Sequence, residues 1–498
     1  MKHVDAADYV VGVVGAGAMG QGIIQVAVQG GMRVLILDAR PGGAEAARKT
    51  IAGRLDRLVE KGRMAAGDAA AAAARMEVVE DFAALAPCDT VIEAIFEEIE
   101  VKRETFAQIE AAVSPDCLIA SNTSSIPIAS IARACQRRER IAGMHFFNPV
   151  PLMGLVEVIR AAETSDATVE TLSALGRRMG RTPVTVKDSP GFLVNMGGRA
   201  YTTEGLRLAH EQVATPAQID AIMRDCRHFR MGPFELMDLT GIDVNYPVSM
   251  IVYEGYLHDP RIKTAPNHQA MADAGLLGRK TGQGWFAYEG GKPLDRPSPD
   301  YVTAATPAAT VRLAEPDEAL EAFCAEIGMR VGDTGPILAA PIGEDATHVA
   351  LRTGMAHQVL VCLDLTGDTS KRVTAMTAPG ADREALDMVA AAIIASGRAV
   401  TAIGDSPGFV AQRMSAMIAN LGCYMAEIGL ASPADIDLAM QLGLNYPLGP
   451  LALAEDLGAA TVLRILEQLQ AITGEDRYRP TMWLKRRARL GLPVHTEG

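Results

Sequence analysis

Paired cysteines, aromatic side chains and excess positive charge are what this sequence of 498 residues lacks. The seven cysteines (88, 117, 135, 226, 324, 362 and 423) contain no pair at metal-ligand or redox-motif spacing. That excludes a disulfide-stapled scaffold and a cysteine metal centre, and it fits a reduced, cytoplasmic protein with no metal. Lys and Arg number 47 against 60 Asp and Glu, a formal charge of −13. No general affinity for nucleic acid or an anionic membrane is expected, and any anionic ligand must be met by local basic groups. Aromatics make up 5% while apolar residues make up 49%, so the core is built from Ala, Val and Ile, and disorder is not indicated. The length suits two to four domains, and the N-terminus carries no signal-peptide pattern.

Charge is also missing from Val10 to Met32, a stretch about long enough to cross a bilayer. It holds seven glycines and a stripe of Gln21, Gln25 and Gln29, so it reads as a buried strand, a glycine turn and a helix. The turn is Gly15-Ala16-Gly17-Ala18-Met19-Gly20, and a second apolar run, Arg33 to Leu37, closes on Asp38. Glycines at this spacing are common by chance. Between strand and helix, with an acid about twenty residues on, they mark a dinucleotide site. The first permits the tight turn, the second lets backbone approach a pyrophosphate, and the third lets helix pack on strand. Asp38 would accept from the ribose hydroxyls and repel a 2'-phosphate, favouring NAD over NADP; Arg40 works against that preference.

Apolar runs then alternate with helical segments: Thr90 to Ile95, Cys117 to Ser121, Ile141 to Phe147, Leu155 to Ile159 and Pro183 to Val186. The alternation predicts a largely parallel, doubly wound sheet with ligands at the carboxyl ends of its strands. Chemistry-bearing residues stand at those ends: Glu97 and Lys102, then Asn122-Thr123-Ser124-Ser125, then His145. The Asn-Thr-Ser-Ser run is equally the pattern of a helix N-cap. His145 ends one strand, and Glu157 follows on the next. A base and the carboxylate that fixes its tautomer need that arrangement, although a core histidine beside a surface glutamate gives the same spacing. Arg54, Arg57 and Lys61 share a helical face, either a solvated stripe or a landing site for a phosphorylated handle. Ala65 to Ala74 is filler, the loop Gly278 to Phe286 is a hairpin or carries Lys280 to the cofactor, and Lys485 to Arg489 reads as a solvated helix end.

Asp188-Ser189-Pro190-Gly191-Phe192 returns as Asp405-Ser406-Pro407-Gly408-Phe409, 217 residues later, and the same offset relates Pro216 to Pro433 and Gly232-Pro233 to Gly449-Pro450. Agreement without slippage means a duplicated helical unit. Val373 to Ile403 is a worn copy of the strand, helix and strand from Val156 to Val186. The offset carries His145 onto Cys362, Glu157 onto Thr374 and Asn195 onto Gln412, so the second copy lacks the candidate pair. The expected architecture is α/β: a Rossmann-type doubly wound domain (1–187), a helical domain (188–290), a linker (291–316), a degenerate Rossmann-like segment (317–404) and a second helical domain (405–498).

Together these motifs resemble the L-3-hydroxyacyl-CoA dehydrogenases, fully over residues 9 to 290 and, in the second helical unit, in the longer bacterial form. The stretch from Arg477-Tyr478-Arg479-Pro480 to Leu490-Gly491 resembles the branch used in phenylacetate breakdown. The resemblance implies that Ser124, His145, Glu157 and Asn195 are catalytic. It also implies that the glycine loop, Asp38, Glu97, Lys102, Ser124, Asn148 and Lys280 hold NAD, and that Arg54 and Lys61 meet coenzyme A. Trp285 departs from the smaller aromatic usual there, and no enoyl-CoA hydratase domain is present. The implied reaction is oxidation of an (S)-3-hydroxyacyl-CoA to the 3-oxoacyl-CoA, with 3-hydroxyadipyl-CoA or 3-hydroxybutyryl-CoA as substrate.

In shorter relatives the helical domain pairs with a twin; here the second unit is expected to replace it as an intramolecular pseudo-dimer, and a further homodimer stays open. Two alternatives remain from the residues alone: a dehydrogenase of a free hydroxy or sugar acid, and an NADH-binding protein without catalysis. An acyl chain ending in a carboxylate would want an Arg or Lys at the far end of its pocket, and the sequence offers several.

Overall fold

Branched apolar runs punctuated by glycine turns build the first sheet. The structure, a computed structural model, describes residues 2–294 and 296–497. Eight strands, β1 (Val10–Val14), β2 (Arg33–Leu37), β3 (Met76–Val78), β4 (Thr90–Glu93), β5 (Leu118–Ser121), β6 (Ile141–Phe146), β7 (Leu155–Arg160) and β8 (Thr182–Lys187), lie in the order β3-β2-β1-β4-β5-β6-β7-β8. The helices Ala18–Gln29 and Gly43–Glu60 bury Ile23, Ile24, Ile51 and Leu55 in its core. Burial on both faces is what lets the strands be nearly continuous in Val, Ile and Leu. Every pairing is parallel except β6 with β7. Only eight residues join those two strands, too few for a crossover helix, so the chain must return antiparallel.

The chain divides into two compact units: 1–194 with 429–444, and 195–428 with 445–498. The first holds the eight-stranded sheet. The second holds helices and a six-stranded sheet of β11 (Thr310–Leu313), β12 (Arg330–Val331), β13 (Ile337–Ala339), β14 (Leu360–Asp364), β15 (Arg372–Met376) and β16 (Ala399–Ile403), with a small hairpin of β9 (Tyr288–Glu289) and β10 (Lys292–Pro293) before it. The second sheet thus begins inside the stretch expected to be linker. Val311 is fully buried in its core, and the alternation around it outweighs the Pro-rich surroundings. Asp295, also in that stretch, lies outside the described residues.

Duplication is visible bond by bond. Residues β7 and β8 map onto β15 and β16 at the 217 offset, and β14 meets β15 antiparallel as β6 meets β7. Asp188 accepts from the Ile128 and Ala129 amides at 3.0 and 2.8 Å; Asp405 accepts from those of Ala346 and Thr347 at 2.8 and 3.2 Å. The Pro-Gly-Phe turn places Gly191 and Gly408 at φ 73°, and Phe192 and Phe409 at 49° and 48°. Each sheet also takes a helix from the other copy's repeat. Within the first unit the helix Pro433–Leu444 packs on β7 and β8, and Lys187 N donates to Leu430 O at 2.8 Å. Within the second unit the helix Pro216–Arg227 packs on β15, and Gly404 N donates to Val213 O at 2.8 Å.

The helices Arg199–His210 and Ala411–Glu427 pack together in the second unit around a buried ion cluster. Arg413 Nε reaches Glu204 Oε1 at 2.6 Å, Arg477 Nη2 reaches Glu204 Oε2 at 2.9 Å, and Tyr478 donates to Glu204 at 2.9 Å. The last helix, Met482–Leu490, corrects one expectation: Arg487 is buried, bonds the Thr496 carbonyl and stacks on Trp483, because its long stem covers apolar surface. No described helix is long and apolar enough to cross a membrane, and the Val10–Met32 stretch is β1, turn and helix.

Candidate active site

β6 and β7 put His145 directly opposite Glu157. The His145 Nδ1 lies 2.6 Å from Glu157 Oε2, with 8% and 1% of the two side chains exposed. A carboxylate only accepts, so Nδ1 carries the proton and the Nε2 lone pair is left to act as base. Glu157 is itself held: its Oε1 accepts from the Leu193 and Val194 amides at 3.0 and 2.8 Å. The turn at Gly191 and Phe192 aims those amides at it, and Phe147 and Phe192 flank the imidazole with ring centroids 4.5 and 5.9 Å away.

The glycine turn fits a dinucleotide. A Cβ on Gly15, at φ 99°, would collide with the Ala94 carbonyl, and one on Gly20 with the Gly15 carbonyl. Around Gly17, at the helix N-terminus, the space is open. Asp38, 6% exposed, accepts from the Ala16 amide at 2.7 Å and the Arg40 guanidinium at 2.9 Å. Burial would push its carboxyl up, but Arg40 and the Ala16 amide outweigh it and hold the group below its ordinary range. Asp38 thus braces the turn it closes, while Arg40 is occupied by that carboxylate.

At the ends of β4 and β5 a chain of polar contacts fixes the next segment. The buried Lys102 ammonium lies 2.7 Å from Glu93 and 3.3 Å from Glu97. Glu93 also accepts from the Ile95 amide and the Ser121 hydroxyl, each at 2.7 Å. Glu97 Oε1 accepts from the Thr123 hydroxyl and the Ser124 and Ser125 amides at 2.5, 3.0 and 3.1 Å. Burial is outweighed by Thr123, Lys102 and these amides, so Glu97 also sits below its ordinary range. The Asn122–Ser125 run is therefore a loop clamped by Glu97; the next helix starts later, at Ile128. Asn122 accepts from the Phe146 amide at 2.9 Å and ties this loop to the strand of His145.

A cleft of about 360 Å³ runs between the helices behind the glycine turn and the loop after His145. Ala18, Gly22, Asn148 and Pro149 line it, and so do Arg54, Arg57, Lys61 and Arg63, so the basic stripe faces a cavity. Asn195 and Lys280 belong to the second unit. There the Lys280 ammonium pairs with Asp243, and the Asn195 carbonyl accepts from Arg199. Glu93, Arg63 and the Leu193 and Val194 amides were not singled out from sequence. An acid inside the apolar run Thr90 to Ile95 was the one visible signal among them. Among the described residues no cluster could hold a metal ion.

A glycine turn at the end of β1, an acid ending β2 and an orientated imidazole at the end of β6 define a nicotinamide-dinucleotide dehydrogenase. The family model described as 3-hydroxyacyl-CoA dehydrogenase, NAD binding domain, matches residues 10–189, and the C-terminal domain model matches both 191–288 and 408–497. A 3-hydroxyadipyl-CoA dehydrogenase of Escherichia coli is 37% identical over 96% of this chain and 97% of its own length. A crystal structure described as 3-hydroxybutyryl-CoA dehydrogenase from the same organism superposes with a TM-score of 0.87 at 36% identity, covering 97% of this chain and 98% of that one. The human mitochondrial hydroxyacyl-coenzyme A dehydrogenase is 36% identical over 56% of this chain and 90% of its own length. The chain belongs to the 3-hydroxyacyl-CoA dehydrogenase family, and its reaction is NAD-dependent oxidation of a 3-hydroxyacyl-CoA.

Proposed function

We propose that the substrate is 3-hydroxyadipyl-CoA or 3-hydroxybutyryl-CoA and that His145 is the general base. The hydrogen-bonded line from His145 through Glu157 to the Leu193 and Val194 amides carries this reading. His145 Nε2 removes the C3 hydroxyl proton, and Glu157 stabilises the imidazolium that forms. Ser124 and Asn195 hydrogen-bond the substrate oxygen and orient C3. The chemistry NAD supplies when bound is acceptance of the hydride from C3. The glycine turn (Gly15 to Gly20), Asp38, Glu97, Lys102, Ser124, Asn148 and Lys280 hold that cofactor. Arg54 and Lys61, with Arg57 and Arg63 in the same cleft, receive the anionic handle of coenzyme A, which favours the ester over a free hydroxy acid. A positioned base contributes roughly 10²- to 10⁴-fold. His145→Gln is expected to lose at least about a hundredfold in turnover while still binding NADH, as read by fluorescence titration; unchanged turnover would remove His145 from the role.

The second helical repeat stands in for a twin subunit, forming a pseudo-dimer within one chain, with domains at 1–187, 188–290, 317–404 and 405–498 and the end of the 291–316 stretch joining the second sheet through β11. The two reciprocal bonds, Lys187 to Leu430 and Gly404 to Val213, support this. Among the described residues none of the seven cysteines forms a disulfide, which supports a cytoplasmic location.

A further inference from the structure

Four residues beyond Asn195 the chain buries a guanidinium that no carboxylate among the described residues meets. Arg199 opens the helix Arg199–His210 and is 7% exposed. Its hydrogen bonds go to neutral oxygens: Nε to the Asn195 carbonyl at 2.9 Å, Nη1 to the Ser249 hydroxyl at 2.6 Å and to the Asn245 carbonyl at 3.5 Å. Other buried arginines of the chain are ion-paired: Arg413 and Arg477 with Glu204, Arg372 with Asp225 and Asp300, Arg140 with Glu110. Arg227 and Arg487 form no such pair, yet each has a carboxylate near enough to favour its charge, Asp364 and Glu427 respectively. Among the described residues the only charge-type neighbour that favours Arg199 is the Tyr446 phenol, and burial brings the guanidinium down to about 10.

Two further buried polar atoms close by have no partner, the Tyr446 hydroxyl and His268 Nε2. Burial first, and the Arg199 charge second, bring His268 down to about 4, so it stays neutral and adds no positive charge. Folded interiors pair their buried charges and satisfy their buried polar atoms. Three exceptions gathered around one guanidinium describe a receptor for an anion, and the planar fork of Arg matches a carboxylate.

Spacing fixes where that carboxylate lies on the substrate. Asn195 and Arg199 stand four residues apart across the turn at Gly198 that joins the helices Val194–Gly197 and Arg199–His210, about 6 Å at a helical rise of 1.5 Å per residue, and Arg199 Nε reaches back to the Asn195 carbonyl at 2.9 Å. A carboxyl carbon three bonds beyond C3 is about 4 Å away in an extended chain, and a hydrogen bond of roughly 2.8 Å completes the span. A four-carbon acyl group would end in a methyl short of the guanidinium.

We infer that Arg199 binds a carboxylate at the far end of the acyl chain, so that the substrate class is the coenzyme A ester of a six-carbon 3-hydroxy dicarboxylic acid. This rests on the dehydrogenase reading above and assigns its acyl group. Tyr446 and His268 complete the receptor's polar wall.

The test compares kcat/KM of the full chain for (S)-3-hydroxyadipyl-CoA and (S)-3-hydroxyhexanoyl-CoA, which differ only in whether the chain ends in carboxylate or methyl. The intact enzyme is expected to prefer the diacid by at least about a hundredfold, a floor below the roughly 10⁴- to 10⁵-fold by which a site built for a polar group rejects an analogue lacking it. Arg199→Met should collapse the ratio. Arg199→Lys keeps the charge in the fold without the planar fork and should give an intermediate ratio, which serves if the methionine variant fails to fold. A ratio near one in the intact enzyme would overturn the assignment. So would an Arg199→Met that lowers both esters equally, or an Arg199→Lys whose ratio equals the parent's. Turnover of neither ester would instead count against the dehydrogenase reading from which this one follows.

Discussion

Glu157 does its work by being unable to donate. Because it only accepts, the proton stays on His145 Nδ1 and the outer nitrogen is free to take another. In Glu157→Gln the amide oxygen can still accept from Leu193 and Val194, but its NH₂ then faces Nδ1 and moves the imidazole proton to Nε2. Turnover is expected to fall by about 10²- to 10⁴-fold, with the thermal midpoint nearly kept, as a kinetic assay beside a melting curve would show. His145 and Glu157 were legible as a pair because each interrupts an apolar strand and the connection between them is too short for anything but an antiparallel return. Arg199 was not. Its meaning lies in the carboxylates that fail to surround it, and an absence of neighbours in space leaves no mark on spacing. The amides that hold Glu157 were equally hidden, since backbone donors have no side-chain signature.

Turns and helices decide which substitutions damage binding and which damage folding. Gly17 stands in open space at the helix N-terminus with an ordinary φ of −72°, so Gly17→Ala should fold as well as the parent and lose affinity for NAD. Gly20→Ala drives a methyl into the Gly15 carbonyl and should cost about 1 to 3 kcal/mol of stability. Urea unfolding with NADH titration separates the two outcomes. The helix Pro433–Leu444 offers a subtler case. A Cβ on Gly443 would lie 3.0 Å from Val194 and 3.2 Å from Leu155, tight enough to displace them by a few tenths of an ångström. Gly443→Val should therefore shift the Val194 amide off Glu157 and reduce kcat about tenfold or more, since about 1.4 kcal/mol of lost alignment is a decade in rate. Sequence located both helical repeats through their shared Asp-Ser-Pro-Gly-Phe turns. It missed β3, only three residues long, and it read β11 as linker because prolines and threonines surround it.

Across the whole molecule, two buried groups with large shifts contribute separable windows to the response of stability to acid. Burial favours neutral Glu204, but Arg477 and Arg413 outweigh it and bring the group to about 2 in the fold, against about 4.3 in an unfolded chain. Its contribution is complete above about 4.3 and is lost as pH falls from there towards 2. His268 titrates at about 4 in the fold and about 6.5 unfolded. The unfolded state binds the extra proton first, so stability declines as pH falls from about 6.5 to 4. Glu204→Gln leaves two guanidinium groups short of a counter-charge and should lose about 3 to 5 kcal/mol at neutral pH. Unfolding curves from pH 8 to 3 should then lose the lower window and keep the upper one. Removing residues 405–498 strips the first sheet of a helix and Glu204 of its arginines; light scattering should find an aggregated or newly dimeric product, and a soluble, active monomer would argue against the pseudo-dimer.

Gly443 belongs to the copy that has lost its own base and orienter, yet it lies against the residue whose amide steadies the surviving pair. A half of the gene without that base and orienter is thereby still screened, generation after generation, by how fast the other half turns over. Drift there is bounded by a clearance narrower than a methyl group, and variants that slow the enzyme are to be sought nearly 300 positions from the imidazole they impair.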